Sequence, residues 1–142
     1  MPEIRMVGVS EFMDAINASV ARQVAATRAA VAKGAHTIEA KAKDELTTSS
    51  HEKGTPTPSR PGEPPSLITG TLRRSVRVEG PTGEGQTFTA KVGPTAVYGR
   101  IQELGGVAGR GSRLPPRPYM KPAVEKSAEE LKALFREAWS KW

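Results

Sequence analysis

The 142-residue chain has no cysteine and only two histidines, His36 and His51. A disulfide framework, a thiolate metal site and a cysteine nucleophile are therefore excluded. Two histidines do not build a multi-histidine metal centre. Aromatic residues make up 5% of the chain, and no run approaches the ~20 consecutive apolar residues of a membrane span. The opening stretch, MPEIRMVGVSEF, lacks the apolar run of a secretory signal. These absences lead us to expect a protein that is intracellular where it is made, with no cofactor, no metal and no membrane association.

Large apolar side chains are also in short supply. Leu, Ile, Val and Phe number 26 of 142 residues, or 18%. Such a shortage combined with high net charge marks disordered chains, but the net charge here is a modest +6. Eighteen alanines stand in place of the missing large residues. Alanine favours helix and buries little area. The composition predicts one domain with thin helical faces, packed in part against copies of itself.

The basic excess is confined to the middle of the chain. Residues 1–47 carry six basic and six acidic side chains, and residues 122–142 carry four of each. Residues 48–121 carry eleven basic against five acidic. Eight of the eleven are arginine, among them Arg73, Arg74, Arg100, Arg110, Arg113 and Arg117. The forked guanidinium suits carboxylates and phosphates. Two readings stay open: a solvated or partner-facing surface, and proximity to a nucleic acid backbone. No aromatic platform accompanies the arginines, which disfavours single-strand binding.

Periodicity divides the single domain, 1–142, into four parts. Residues 1–47 hold a long helix from about Ser10. Ser10 is placed to cap it, and Glu11 and Asp14 oppose the dipole in its first turn. Phe12, Ile16, Val20, Val24, Thr27, Val31, Ala35, Ile38, Ala42 and Leu46 recur in steps of three and four. Such a helix spans about 55 Å, more than a small domain needs. One part is expected to pack in cis and the other on a neighbouring subunit. Gly34 is read as a bend or break. Residues 48–65 are Pro-rich and carry no large apolar side chain. They are expected to form a long loop, either a tether or a segment ordered by a partner.

Residues 66–121 predict a short helical turn capped by Thr69, then a hairpin. Val76 and Val78 alternate with Arg77 and Glu79, the turn falls at residues 80–85, and Phe88, Ala90 and Val92 share one face of the return strand. A short helix follows, with Val97, Ile101 and Leu104 on one face and a stop at Gly105–Gly106. A glycine- and arginine-rich loop leads on to the last part. Residues 122–142 predict a C-terminal helix with Val124, Ala128, Leu131, Phe135, Ala138 and Trp142 in register and Pro122 in its first turn. The expected fold is α+β: two helices packed on a small antiparallel sheet. Trp139, Trp142 and Phe12 are candidate interface anchors.

Catalytic patterns are missing from this layout. No GxSxG elbow occurs, and the histidines fall in the long helix and the Pro-rich segment. The glycines of residues 105–111 resemble a phosphate cradle only loosely, since no GxxxxGK(S/T) is present. The expectation is a protein without enzymatic activity.

Three segments stand in a familiar order: Thr69-Gly70-Thr71-Leu72-Arg73-Arg74-Ser75-Val76, Val97-Tyr98-Gly99-Arg100-Ile101-Gln102-Glu103-Leu104-Gly105-Gly106, and Pro116-Arg117-Pro118-Tyr119-Met120-Lys121-Pro122-Ala123. Together with Val92-Gly93 at the end of the hairpin, they resemble the neck, or tail-completion, proteins of long-tailed bacteriophages, often labelled minor tail components. The family pattern is a long helix, TGxLxxS(I/V), a hairpin ending in VG, Y(A/G)xxxExG, and RP(F/Y)(L/M)xPA before a final helix. Glycine at 105–106 stands where the family often has threonine.

The resemblance implies a structural virion protein, present in the host cytoplasm during assembly. It implies a homo-oligomeric, six-fold ring around the DNA channel. Its partners would be the head connector or stopper, the tail terminator or tail-tube proteins, and the genomic DNA passing through the lumen. Arg73, Arg74, Arg110, Arg113 and Arg117 are the candidate contacts to acidic partners or DNA. Gly70, Leu72, Tyr98, Glu103, Gly105, Pro118, Tyr119 and Pro122 are expected to maintain the fold. Gly70 and Gly93 suit tight reversals, and Arg117–Pro118 an extended lead-in. Tyr119 and Met120 would anchor that lead-in on the hairpin. A small basic DNA-binding architectural protein is the alternative reading.

Overall fold

In a computed structural model of the chain, which describes residues 2–48, 59–67 and 69–141, the N-terminal periodicity becomes one uninterrupted helix, α1 (Val9–Glu45). Ser10 does not cap it. Gly8, in the left-handed conformation, takes that position, and the Ser10 hydroxyl turns to the Glu11 carboxylate instead. The C-terminal helix, α4 (Met120–Trp139), begins two residues earlier than its proline suggests. It runs antiparallel along the second half of α1. Three contacts along the pair fix this direction: Lys126 with Glu45, Leu131 with Gly34, and Trp139 with Thr27.

Gly34 neither bends nor breaks α1. A Cβ at that position would stand 2.8 Å from Leu131 Cδ2, so the glycine lets α4 approach. Ala30, Ala35 and Ala42 of α1 and Ala123 and Ser127 of α4 are buried with it. Small residues at a helix crossing permit short interaxial distances. Four of the eighteen alanines noted above serve this contact. The buried face of α4 runs through Ala123 and Ser127, whereas Val124, in register by spacing, is exposed.

Between the helices in sequence lie two hairpins. A short helix, α2 (Thr71–Ser75), leads into β1 (Val76–Thr82), which pairs antiparallel with β2 (Thr89–Pro94). Val76 faces Pro94 and Val78 faces Val92. The strand runs through Gly80–Pro81 with an irregularity between Glu79 and Thr82, so the turn starts later than residue 80. Phe88, Ala90 and Val92 share a face, as their alternation predicts. That face overlies a groove floored by Val31, Gly34 and Ile38 of α1 and by Leu131 and Phe135 of α4. Gly93 makes no reversal. It lies within β2, opposite Arg77.

After β2 come α3 (Gly99–Leu104) and a second, three-residue hairpin, β3 (Gly106–Ala108) with β4 (Ser112–Leu114). This hairpin replaces the expected irregular arginine and glycine loop. The fold is α+β, with a long N-terminal helix and a C-terminal helix against a small antiparallel sheet. Its densest point is where α1 ends: Ala42, Leu46, Val76, Tyr119 and Ala123 form one buried cluster, with Leu72, Val92 and Met120 against it. Residues 49–58 of the Pro-rich segment and Trp142 lie outside the described residues. The end of that segment is tied down, because the Gly62 N–H donates to the Pro116 carbonyl at 2.9 Å. No helix among the described residues is long and apolar enough to cross a membrane.

Candidate assembly surfaces

The second and third of the three segments converge on one knot. Glu103, at the end of α3, points its carboxylate at the start of α4. It accepts the backbone N–H of Tyr119 at 2.7 Å, of Met120 at 2.9 Å and of Lys121 at 3.0 Å. The next residue, Pro122, has no N–H to satisfy. A helix start leaves about four orphan donors, and here a side chain from another element and a proline account for them all. The carboxylate also opposes the positive end of the helix dipole.

Tyr119 is fully buried, and its hydroxyl donates to the Gly99 carbonyl at 3.0 Å. Burial pushes that hydroxyl well above the ordinary phenol range, with the charge of Glu103 and then Tyr98 adding to the shift. Tyr119 packs in one cluster with Val76 of the hairpin, with Leu46 at the end of α1 and with Ala123 of α4, and Met120 and Val92 lie against it. Gly99 leaves room for it: a Cβ there would meet Pro94 at 2.4 Å and the Tyr119 hydroxyl at 3.1 Å. Gly105 ends α3 at φ +70°, with the Leu114 carbonyl 2.8 Å from where a Cβ would be. Gly70 precedes α2 at φ +72°. Thr69 lies one residue before that cap, and its hydroxyl meets the Thr71 N–H at 3.4 Å. Leu72 packs against the core and Pro118 is half-buried, while Tyr98 keeps 41% of its surface exposed.

The five candidate arginines divide into two groups. Arg73 Nε donates to the Lys43 carbonyl at 3.3 Å, tying α2 to the end of α1. Arg74 closes back on the Thr69 carbonyl at 3.0 Å. Arg117 is half-buried, with Nε on the Ser59 carbonyl at 3.1 Å and its own N–H on the Gln102 carbonyl at 2.7 Å. These three brace the fold. Arg110 and Arg113 are exposed, at the tip and on the second strand of the β3–β4 hairpin.

Among the described residues two apolar surfaces stay exposed. Trp139 of α4 bonds Thr27, and among the described residues it and Gln86 of the first hairpin border Gln23 and Val24 of α1. N-terminal to Val24, about 22 Å of α1 has its apolar stripe uncovered among the described residues. Its stripe continues the buried face, yet Val9, Phe12, Met13, Ile16 and Val20 are exposed, Phe12 by 65%. Ile4, Met6 and Val7, just ahead, are exposed as well. The second surface lies between α3 and β3. Val97, Arg100, Ile101, Leu104 and Val107 line a shallow groove, with Val97 97%, Leu104 62% and Val107 63% exposed. The expected apolar face of α3 is therefore real but points outward. Trp139 packs in cis, donating its indole N–H to the Thr27 hydroxyl at 3.1 Å, with its ring tilted 39° against Phe135 at 5.4 Å between centroids and half its surface still exposed.

Among the described residues no group of three or more His, Asp or Glu side chains is arranged to hold a metal ion. Comparison with family models, curated proteins and solved structures gives no match. The resemblance singled out the knot residues as architectural, but not the pairing of Glu103 with the start of α4. The α3–β3 groove was signalled only by the Val97, Ile101, Leu104 face.

Proposed function

We propose that this chain is a structural protein of the phage head-to-tail junction, a neck or tail-completion component that assembles as a six-fold ring around the DNA channel. In this reading it joins the head connector to the tail terminator or tail tube and works by shape and contact rather than catalysis. The observation that carries the assembly part is the projecting half of α1. Monomeric proteins rarely expose contiguous apolar patches larger than a few hundred Å², and this stripe is a direct continuation of one that α4 covers. The three ordered motifs supply the phage part. Their residues hold the knot at the other end of α1, which is what motifs of an architectural protein are expected to do.

The test is a mass measurement of the purified protein, alone and with connector and tail-tube proteins. An oligomer in at least one condition is the expected result, and a strict monomer in both counts against the ring. Virion localisation is tested by probing purified particles for the chain. The exposed Arg110 and Arg113 favour a second reading, a small basic protein that binds duplex DNA. That reading requires tight binding that weakens steeply with salt.

A further inference from the structure

We infer that the repeating contact of the assembly is head-to-tail: the projecting half of α1 from one copy seats in the α3–β3 groove of the next. The inference rests on the ring reading above and names the two surfaces that would build it. Fourteen large apolar side chains are exposed among the described residues, and eleven of them fall on these two surfaces or just ahead of α1. Eight lie between Ile4 and Val20, and three, Val97, Leu104 and Val107, line the groove. Covering the first set removes several hundred Å² of apolar surface, the scale of one side of a standard interface, about 800 Å².

The two surfaces lie at opposite ends of one helix. The groove sits where α1 ends, because α3 is bound to Tyr119 and Tyr119 packs on Ala42 and Leu46. Phe12 is thirty residues away along an unbroken helix, or about 45 Å. A copy therefore does not cover its own groove with its own helix end. Pairing two projecting ends with each other would leave both grooves bare. Charge points the same way. The projecting segment carries Glu3, Glu11 and Asp14 against Arg5 and Arg22, a small acidic excess. The groove carries Arg100, and Arg113 stands directly across the hairpin from Val107. A contact between two different patches repeats until a rotation closes it, which is how rings form.

The absence of cysteine makes the test clean. Two full-length chains are prepared, Phe12→Cys and Leu104→Cys, both at exposed positions, and treated with a short bis-maleimide at the highest soluble concentration. The mixture is expected to yield crosslinked dimers, and each chain alone few. Separately, Ile16→Asp and Val107→Asp should each abolish assembly alone, and the two mixed should form dimers and nothing larger. Crosslinking of the Phe12→Cys chain with itself, or no crosslink in the mixture, overturns the inference. So does assembly by the Val107→Asp chain. In each of these cases the ring reading stands or falls on its own mass measurement.

Discussion

The Glu103 carboxylate accepts the Tyr119 backbone N–H at 2.7 Å, across sixteen residues of chain. It gathers the next two N–H groups as well, and Pro122 needs none. The second and third motifs are thus two halves of one device: one supplies the acceptor and the other the helix start. Replacing Glu103 by alanine leaves those donors without a charged acceptor beside the core. The expected loss is about 2–3 kcal/mol in denaturant unfolding, at unchanged m-value. Glu103→Gln retains one oxygen and should lose roughly half as much. Amide exchange at the start of α4 should rise in both, and more in the alanine variant.

Two glycines that both admit a close neighbour should respond differently to alanine. At Gly34 the neighbour is the end of the flexible Leu131 side chain. A rotamer shift there costs about 0.5–1.5 kcal/mol, and helix propensity returns about 1 kcal/mol. Gly34→Ala should therefore be close to neutral. At Gly99 the neighbours are the stiff Pro94 ring at 2.4 and 2.6 Å and the buried Tyr119 hydroxyl. Gly99→Ala should cost about 1–3 kcal/mol. Thermal melts of the two variants side by side check the contrast.

Much of this architecture was legible in the residues. Steps of three and four gave both helices, because a stripe needs only local spacing. Alternation gave the first hairpin and its inward face. What stayed hidden depends on partners distant in sequence. Gly34 looked like a break because propensity counts only its own helix, whereas its value lies in admitting Leu131. The β3–β4 hairpin was missed because three-residue strands among glycines carry too little alternation to see. Ser10 is a good cap by composition, but Gly8 extends the helix past it. The bare half of α1 is invisible to periodicity, which gives covered and uncovered stripes the same pattern.

Tyr119 makes the fold sensitive to alkali. Burial, Glu103 and Tyr98 raise its hydroxyl above the unfolded value of 10.0. The folded state then holds a proton that the unfolded state releases, so its contribution is fully present below pH 10 and is lost as pH rises beyond it. In a Tyr98→Phe background Tyr119 is the only tyrosine, and its phenolate absorbance should appear together with loss of helical signal. Tyr119→Phe should flatten the alkaline slope while losing about 1 kcal/mol with the Gly99 hydrogen bond. On the acid side, hydrogen bonds from Lys43 and then His36 hold the Glu39 carboxyl below its usual range. That stabilisation is present above the unfolded carboxylate value and fades as pH falls, and Glu39→Gln should remove the fading.

Arg110 and Arg113 decide between the two functional readings, because they are the candidate arginines without a bracing role in the contacts described above. In an architectural DNA binder, each phosphate contact contributes a slope of roughly −0.9 to the logarithm of affinity against the logarithm of salt. Replacing both arginines by alanine would then weaken binding at every sequence and reduce that slope by about two. In a neck protein the DNA passes by, and tight contacts along the lumen would slow its ejection. The expected outcome is no duplex shift at physiological salt, with weak retention at low salt that the double variant loses. A gel-shift series at the two salt concentrations measures this. Tight, salt-steep binding by the isolated wild-type chain would move the balance to the DNA-binding reading.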